Sequence, residues 1–165
     1  MNTTLQHTFA THNDLTQRLR DTLLPLLNQQ LADTFDLYSQ VKQAHWNVKG
    51  MQFIQLHLLF DAIAGSLIEY VDLIAERATA LGGTALGTAR MAAANSQLPE
   101  YPAEIVEGRQ VIEVLVQRFA YYAAASRAAI TTASEHGDQG TADLFTEVSR
   151  SVDKNLWFLE AHLQG

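Results

Sequence analysis

From about Gln52 to Leu81 the chain holds one unbroken helical pattern, about 30 residues long, closed by Gly82-Gly83 as a C-cap signal. At 1.5 Å per residue that helix is roughly 45 Å long, several times the mean of a globular domain, and points to a bundle of long helices. A first pattern precedes it: Leu15, Leu19, Leu23, Leu27, Leu31, Phe35, Tyr38, Val41 and His45 step by three or four. Pro25 interrupts this run, so the first helix either begins near Asp21 or Thr22 with proline in its first turn or is kinked there; Asn47 to Gly50 ends it.

From Thr84 to Pro102 the residues are small, polar and marked by proline, with Ala89 to Ala94 reading as a short helix inside a long crossover. Periodicity resumes with Ile105, Ile112, Val116, Phe119, Ala123, Ser126, Ile130 and Ala133. It breaks at His136-Gly137 and returns with Ala142, Phe145, Val148, Val152, Leu156, Leu159 and Leu163. No alternating segment, Asn-Gly hairpin turn or internal repeat is present, so sheet architectures are excluded. The expectation is an all-α chain: a four-helix bundle over 13–165 with a long crossover connection carrying a short helix, preceded by a mobile N-terminal tail over 1–12.

Composition narrows the chemistry. Hydrophobic residues make up 47% and charged residues 18%, which excludes intrinsic disorder in a chain of 165 residues. No apolar run approaches the roughly 20 residues a membrane span needs, and the start lacks the basic and apolar segments of a secretory signal, so a cytoplasmic protein is expected. The absence of cysteine excludes disulfides, thiolate zinc sites and iron–sulfur clusters, leaving His, Asp and Glu to hold any metal. A net charge of −7 disfavours nonspecific nucleic-acid binding and suits a protein that attracts cations.

On the second long helix His57 and Asp61 are four residues apart, as are Asp72 and Glu76. Taking His57 as zero, a 100° step puts Asp61 at about 40°, Asp72 at about 60° and Glu76 at about 100°, so one stripe carries all four. Phe53, Phe60, Leu67 and Leu73 flank it, and carboxylates beside apolar surface are costly without a cation. An imidazole with carboxylates suits iron, zinc or manganese. His57 and Asp72 lie roughly 22 Å apart along the axis, so the two pairs cannot touch one ion within one chain: either there are two half-sites or two chains cooperate. If the helix packs antiparallel against its own copy, His57 and Asp61 come opposite Asp72 and Glu76 of the other chain. His45, just before Trp46, is a further nitrogen donor near the start of that helix. The chain contains no Glu-x-x-His, which disfavours a di-iron core inside one bundle.

The stretch KQAHWNVKGMQFIQLHLLFD, followed by Asp72, by Glu76-Arg77-Ala78 and by LGGTALGT, resembles the signature of the Dps family, the ferritin-like mini-cages named as DNA-binding proteins from starved cells. The resemblance extends over nearly the whole chain and implies a ferritin-like bundle. It assigns His45, His57 and Asp61 of one chain and Asp72 and Glu76 of its mate as ligands of a two-iron ferroxidase centre across a two-fold interface. Zinc is an alternative occupant of such donors. The resemblance further implies a homo-dodecamer that oxidises Fe(II) with hydrogen peroxide or dioxygen, stores the ferric product and protects against oxidative stress. Trp46 would sit beside the centre, taking up stray oxidising equivalents or packing under the interface, whereas Trp157 is expected in the core. Asp138, Asp143 and Glu147 match the region that lines the family's acidic three-fold pores, although acidic residues at a helix start also serve as caps. His7, His12, His136 and His162 are expected to face solvent.

A second role suggested by the family's name is DNA compaction. Against it, residues 1–24 contain no lysine, Arg18 and Arg20 are balanced by Asp14 and Asp21, and the terminal EAHLQG is not basic. Lys42, Lys49 and Lys154 form no patch, so DNA binding is expected to be weak or absent.

Overall fold

Thr16 starts the first helix: its backbone is extended and its hydroxyl accepts a hydrogen bond from the Leu19 N–H. In the computed structural model, which describes residues 8–164, this helix, α1, spans Gln17–Asn47. It runs through Pro25 rather than starting beside it. The proline ring lies on the exposed face, where water can meet the carbonyl that the missing N–H leaves free. The other elements are α2 (Phe53–Ala80), α3 (Ala89–Asn95), α4 (Gly108–Glu135) and α5 (Gln139–Ala161). The long helices α1, α2, α4 and α5 form the expected all-α four-helix bundle, and α3 is the short helix of the crossover. The described residues contain no strand, only an isolated bridge between Lys49 and Glu107.

Two hairpins build the bundle. α1 packs along α2 and α4 along α5. Gly50 turns the first hairpin at φ +116 and Gly137 the second at φ +76, backbone values that other residues rarely adopt. The Lys49 N–H donates to the Val106 carbonyl at 2.7 Å, which puts the starts of α2 and α4 at the same end. Arg77 meets Asp138 at 2.6 Å, which puts the end of α2 beside the start of α5. The crossover therefore travels the length of the bundle before the second hairpin begins.

That crossover is fastened to α1. The Gln97 N–H donates to Asp33 at 2.7 Å, Ser96 to Asp36 at 2.6 Å, and Gln40 to the Pro99 carbonyl at 3.0 Å. Burial pushes the Asp33 carboxyl above its ordinary pKa, and the hydrogen bonds from Gln97 and Gln29 pull partly back. Arg118 reaches from α4 to the carbonyls of Pro99 and Glu100. The core between the hairpins is large and apolar: Leu27, Leu31 and Val41 from α1 meet Phe60 and Leu67 from α2, with Phe119, Tyr122, Phe145 and Val152 from the second hairpin. Each such side chain contributes about 1.5–3 kcal/mol on burial.

Several finer expectations change. Helical geometry begins at Gly108 rather than at Ile105, because Glu107 caps it by accepting from the N–H groups of Arg109 and Gln110. Trp157 is not in the core but 60% exposed: it lies about 200° around α5 from the buried Asn155, on the opposite face. His12 and His162 are exposed, whereas His136 is half-buried and donates to the Thr132 carbonyl. Of the expected N-terminal tail, residues 1–7, His7 included, lie outside the described residues. Its described end is tied down where the Phe9 N–H donates to the Gly82 carbonyl. No described helix is long and apolar enough to cross a membrane.

Candidate metal centre

The tight turn between α1 and α2 folds His45 back onto His57. Their rings stack with centroids 3.8 Å apart and planes 20° from parallel. Each Nδ1 lies against the other residue's backbone carbonyl, at 2.8 Å for His45 and 2.9 Å for His57. A carbonyl only accepts, so both rings carry their hydrogen on Nδ1. In the neutral rings each Nε2 then holds a free lone pair, the form that binds a metal. The His45 carbonyl is one of the last four of α1, so this bond also satisfies a group that the helix leaves open. Phe53 packs beside His57 with ring centroids 5.2 Å apart.

Asp61 follows one helical turn after His57. Its Oδ1 is 3.8 Å from His45 Nε2 and 2.8 Å from Lys42 Nζ. The hydrogen bond from Lys42, and then its charge, hold the Asp61 carboxyl below the usual carboxylate range. Lys42 also stands 5.7 Å from the centroid of the Trp46 ring, and Trp46 itself is 62% exposed. A cation already sits on Asp61, and it is an ammonium. Sequence reasoning passed over Lys42, although its place three residues before His45 puts it on the same face of α1.

Asp72 and Glu76 lie on the same stripe of α2 and are exposed. The helix keeps them roughly 22 Å or more from His57 along its axis. Among the described residues no three His, Asp or Glu side chains converge to hold a metal ion. The structure thus stacks His45 on His57, sets Asp61 within 3.8 Å of His45 alone of the two rings, and leaves Asp72 and Glu76 apart. Around them the exposed face of α2 is apolar: Ile54, Leu58, Ile68 and Leu73 are each 40% exposed or more.

The acids of α5 divide. Asp138 is buried and fully engaged: Oδ1 accepts from Arg77 and from the Thr141 N–H, and Oδ2 from the Thr141 hydroxyl. It is the N-cap of α5 and the anchor of α2, so the expectation that it lines a pore is corrected: its charge is spent inside the chain. Asp143 and Glu147 are exposed on α5.

A model of the ferritin-like domain matches residues 24–165 of the chain. The DNA protection during starvation protein of Agrobacterium fabrum is 44% identical over 95% of this chain and 97% of its own length. Among solved structures, DpsC from Streptomyces coelicolor superposes with a TM-score of 0.91 at 34% identity, covering 96% of this chain and 92% of its own. The Dps protein of Vibrio cholerae, described as a member of a broad superfamily of ferritin-like diiron-carboxylate proteins, gives 0.86 at 28% identity over 91% of this chain and 94% of its own.

Proposed function

The chain belongs to the Dps family of ferritin-like proteins, and from that premise we propose that it takes up Fe(II), oxidises it at sites shared between two copies, and stores the ferric product. The observation that carries this reading is the outer stripe of α2. It sets Asp61, Asp72 and Glu76 among exposed apolar side chains, so that a contact between copies would bury carboxylates at a cost unless a cation met them, and it keeps the two pairs too far apart to meet in one chain.

In the shared site the two Nε2 lone pairs and Asp61 come from one copy, and Asp72 and Glu76 from the other. Two Fe(II) ions are the substrate, with hydrogen peroxide, or dioxygen in its place, as oxidant. Each Fe(II) gives one electron to a peroxide molecule; its O–O bond breaks and two protons complete two waters, so no hydroxyl radical is released. The carboxylates are hard donors that favour the Fe(III) product. Lys42 holds Asp61 until the ion arrives and then yields it. Trp46, next to Lys42, takes up stray oxidising equivalents in this reading. Asp143 and Glu147 feed cations towards the cavity of a dodecamer, while Asp138 fixes the helix that carries them. Zinc fits the same donors as a competing occupant.

DNA is protected in this reading by removal of iron and peroxide. The net charge of −7 per chain and the scattered lysines oppose direct contact with phosphates, so binding at neutral pH and physiological salt is weak or absent in the cytoplasm. A gel shift of plasmid at submicromolar protein, without divalent metal, would overturn this part.

The test of the shared site mixes two disabled chains. A His57→Ala, Asp61→Ala chain assembled with an Asp72→Ala, Glu76→Ala chain restores one intact site per heterodimer. Partial Fe(II) oxidation, followed by absorbance on adding peroxide, is the expected result. Inactivity of correctly assembled heterodimers would overturn the proposal.

A further inference from the structure

Gly65 stands near the middle of α2, where glycine is the poorest helix former after proline. Nothing in the chain asks for it. A Cβ placed there would meet no atom within 4 Å, its φ is not positive, and the position is exposed. On the helical wheel it falls at about 80° from His57, inside the stripe that carries Asp61, Asp72 and Glu76. The reason for a missing side chain must then lie outside the chain.

The ligand register says where. If His57 lies opposite Glu76 of a second copy, and Asp61 opposite Asp72, the two-fold axis passes between Ser66 and Leu67. The same register puts Gly65 of each copy opposite Ile68 of the other. Ile68 is 40% exposed and lies on the same stripe, at about 20°. We propose that Gly65 is a hole and Ile68 the knob that fills it, twice across the axis, letting two α2 helices approach closely enough for the half-sites to close. This rests on the shared-site reading and adds the contact that sets its spacing. The occupant of the apolar stripe is thereby a second copy of this chain: a half-site that lacks two of its carboxylates can be completed only by a face that carries them.

The contact makes two properties move in opposite directions. Gly65→Ala or Gly65→Leu improves intrinsic helix propensity but fills the hole. The metal-free protein is compared with its parent by sedimentation over a range of concentrations and by far-ultraviolet circular dichroism. Gly65→Leu should keep or raise the helical signal and increase the dissociation concentration at least tenfold, with Gly65→Ala intermediate. Removing the knob in the same chain, Gly65→Leu with Ile68→Ala, should recover most of the assembly, because the new leucine enters the space left by the isoleucine. Parent-like assembly of Gly65→Leu would overturn the proposal, as would a double variant no better than Gly65→Leu alone. If mixed disabled chains regain oxidation while Gly65→Leu assembles like the parent, the shared site stands and the knob-and-hole contact falls.

Discussion

α2 and α4 are equally long, 28 residues each, and they use their side chains differently. α4 buries eleven residues and exposes mainly small or polar ones, such as Ala120, Ala124, Arg127 and Thr131. α2 is richer in leucine and isoleucine yet buries only seven residues, leaving Ile54, Leu58, Ile68 and Leu73 in the open. Large apolar side chains held out of water are what folding normally maximises, so a helix with more of them and less burial has not finished packing. The chain on its own completes α4; in the proposed assembly a second copy completes α2. The carboxylates that lack a converging partner lie on the unfinished helix.

The contrast breaks most sharply through charge. Leu58→Lys puts an ammonium into the proposed contact between copies, where an unpaired buried charge costs about 3–5 kcal/mol, while Ala124→Lys on the outer face of α4 meets only water. Sedimentation should show Leu58→Lys dissociated at concentrations where the parent and Ala124→Lys remain assembled. Equal behaviour of the two variants would erase the distinction between the helices.

A cavity sharpens it from the other side. Phe119 on α4 is fully buried, and Phe119→Ala should lower the stability of the subunit by about 3–5 kcal/mol. Urea unfolding at one fixed protein concentration measures this, since association adds its own contribution. The smallest effect concerns the helix starts. Glu107 caps α4 and its carboxyl lies below the ordinary value because it accepts the Arg109 and Gln110 N–H groups; α2 begins at Gln52 with no side-chain cap. A depressed folded pKa means that the cap's stabilisation is present above the unfolded value and is lost as pH falls through the folded one. The advantage of the parent over Glu107→Gln in thermal melts should be present at pH 7 and shrink as pH falls below the ordinary glutamate range of about 4.3.

Much of this was legible because buried positions recur every three or four residues, so Leu23 through His45 and Leu56 through Ala78 announced their helices. What misled was information carried by distant partners. Pro25 suggested a helix start beside it as one of two readings, but α1 begins earlier, at Gln17, and only the fold shows that the proline faces water. Asp138, Asp143 and Glu147 look alike as acids at a helix start; Arg77, on another helix, decides that the first is a buried anchor. Trp157 suggested a core residue by its bulk, but its angle on α5 points it outward. The proposed ligand residues could be picked out from spacing and from the family signature, whereas the Lys42 ion pair and the stacked histidines required the turn between α1 and α2 to be in place.

The reciprocal histidine pair has a consequence for timing and for entropy. Each imidazole is held by the other's backbone, so the rotational freedom of both rings is given up when the hairpin folds, long before any ion is present. An ion entering the proposed site would meet no further ordering cost at the two imidazoles. Asp72 and Glu76 are exposed in the single chain and, among the described residues, no side-chain partner fixes their carboxylates. Half of the proposed site is therefore a fixed frame and half an adjustable jaw, able to follow an ion that contracts as it loses an electron without disturbing the fold that holds it.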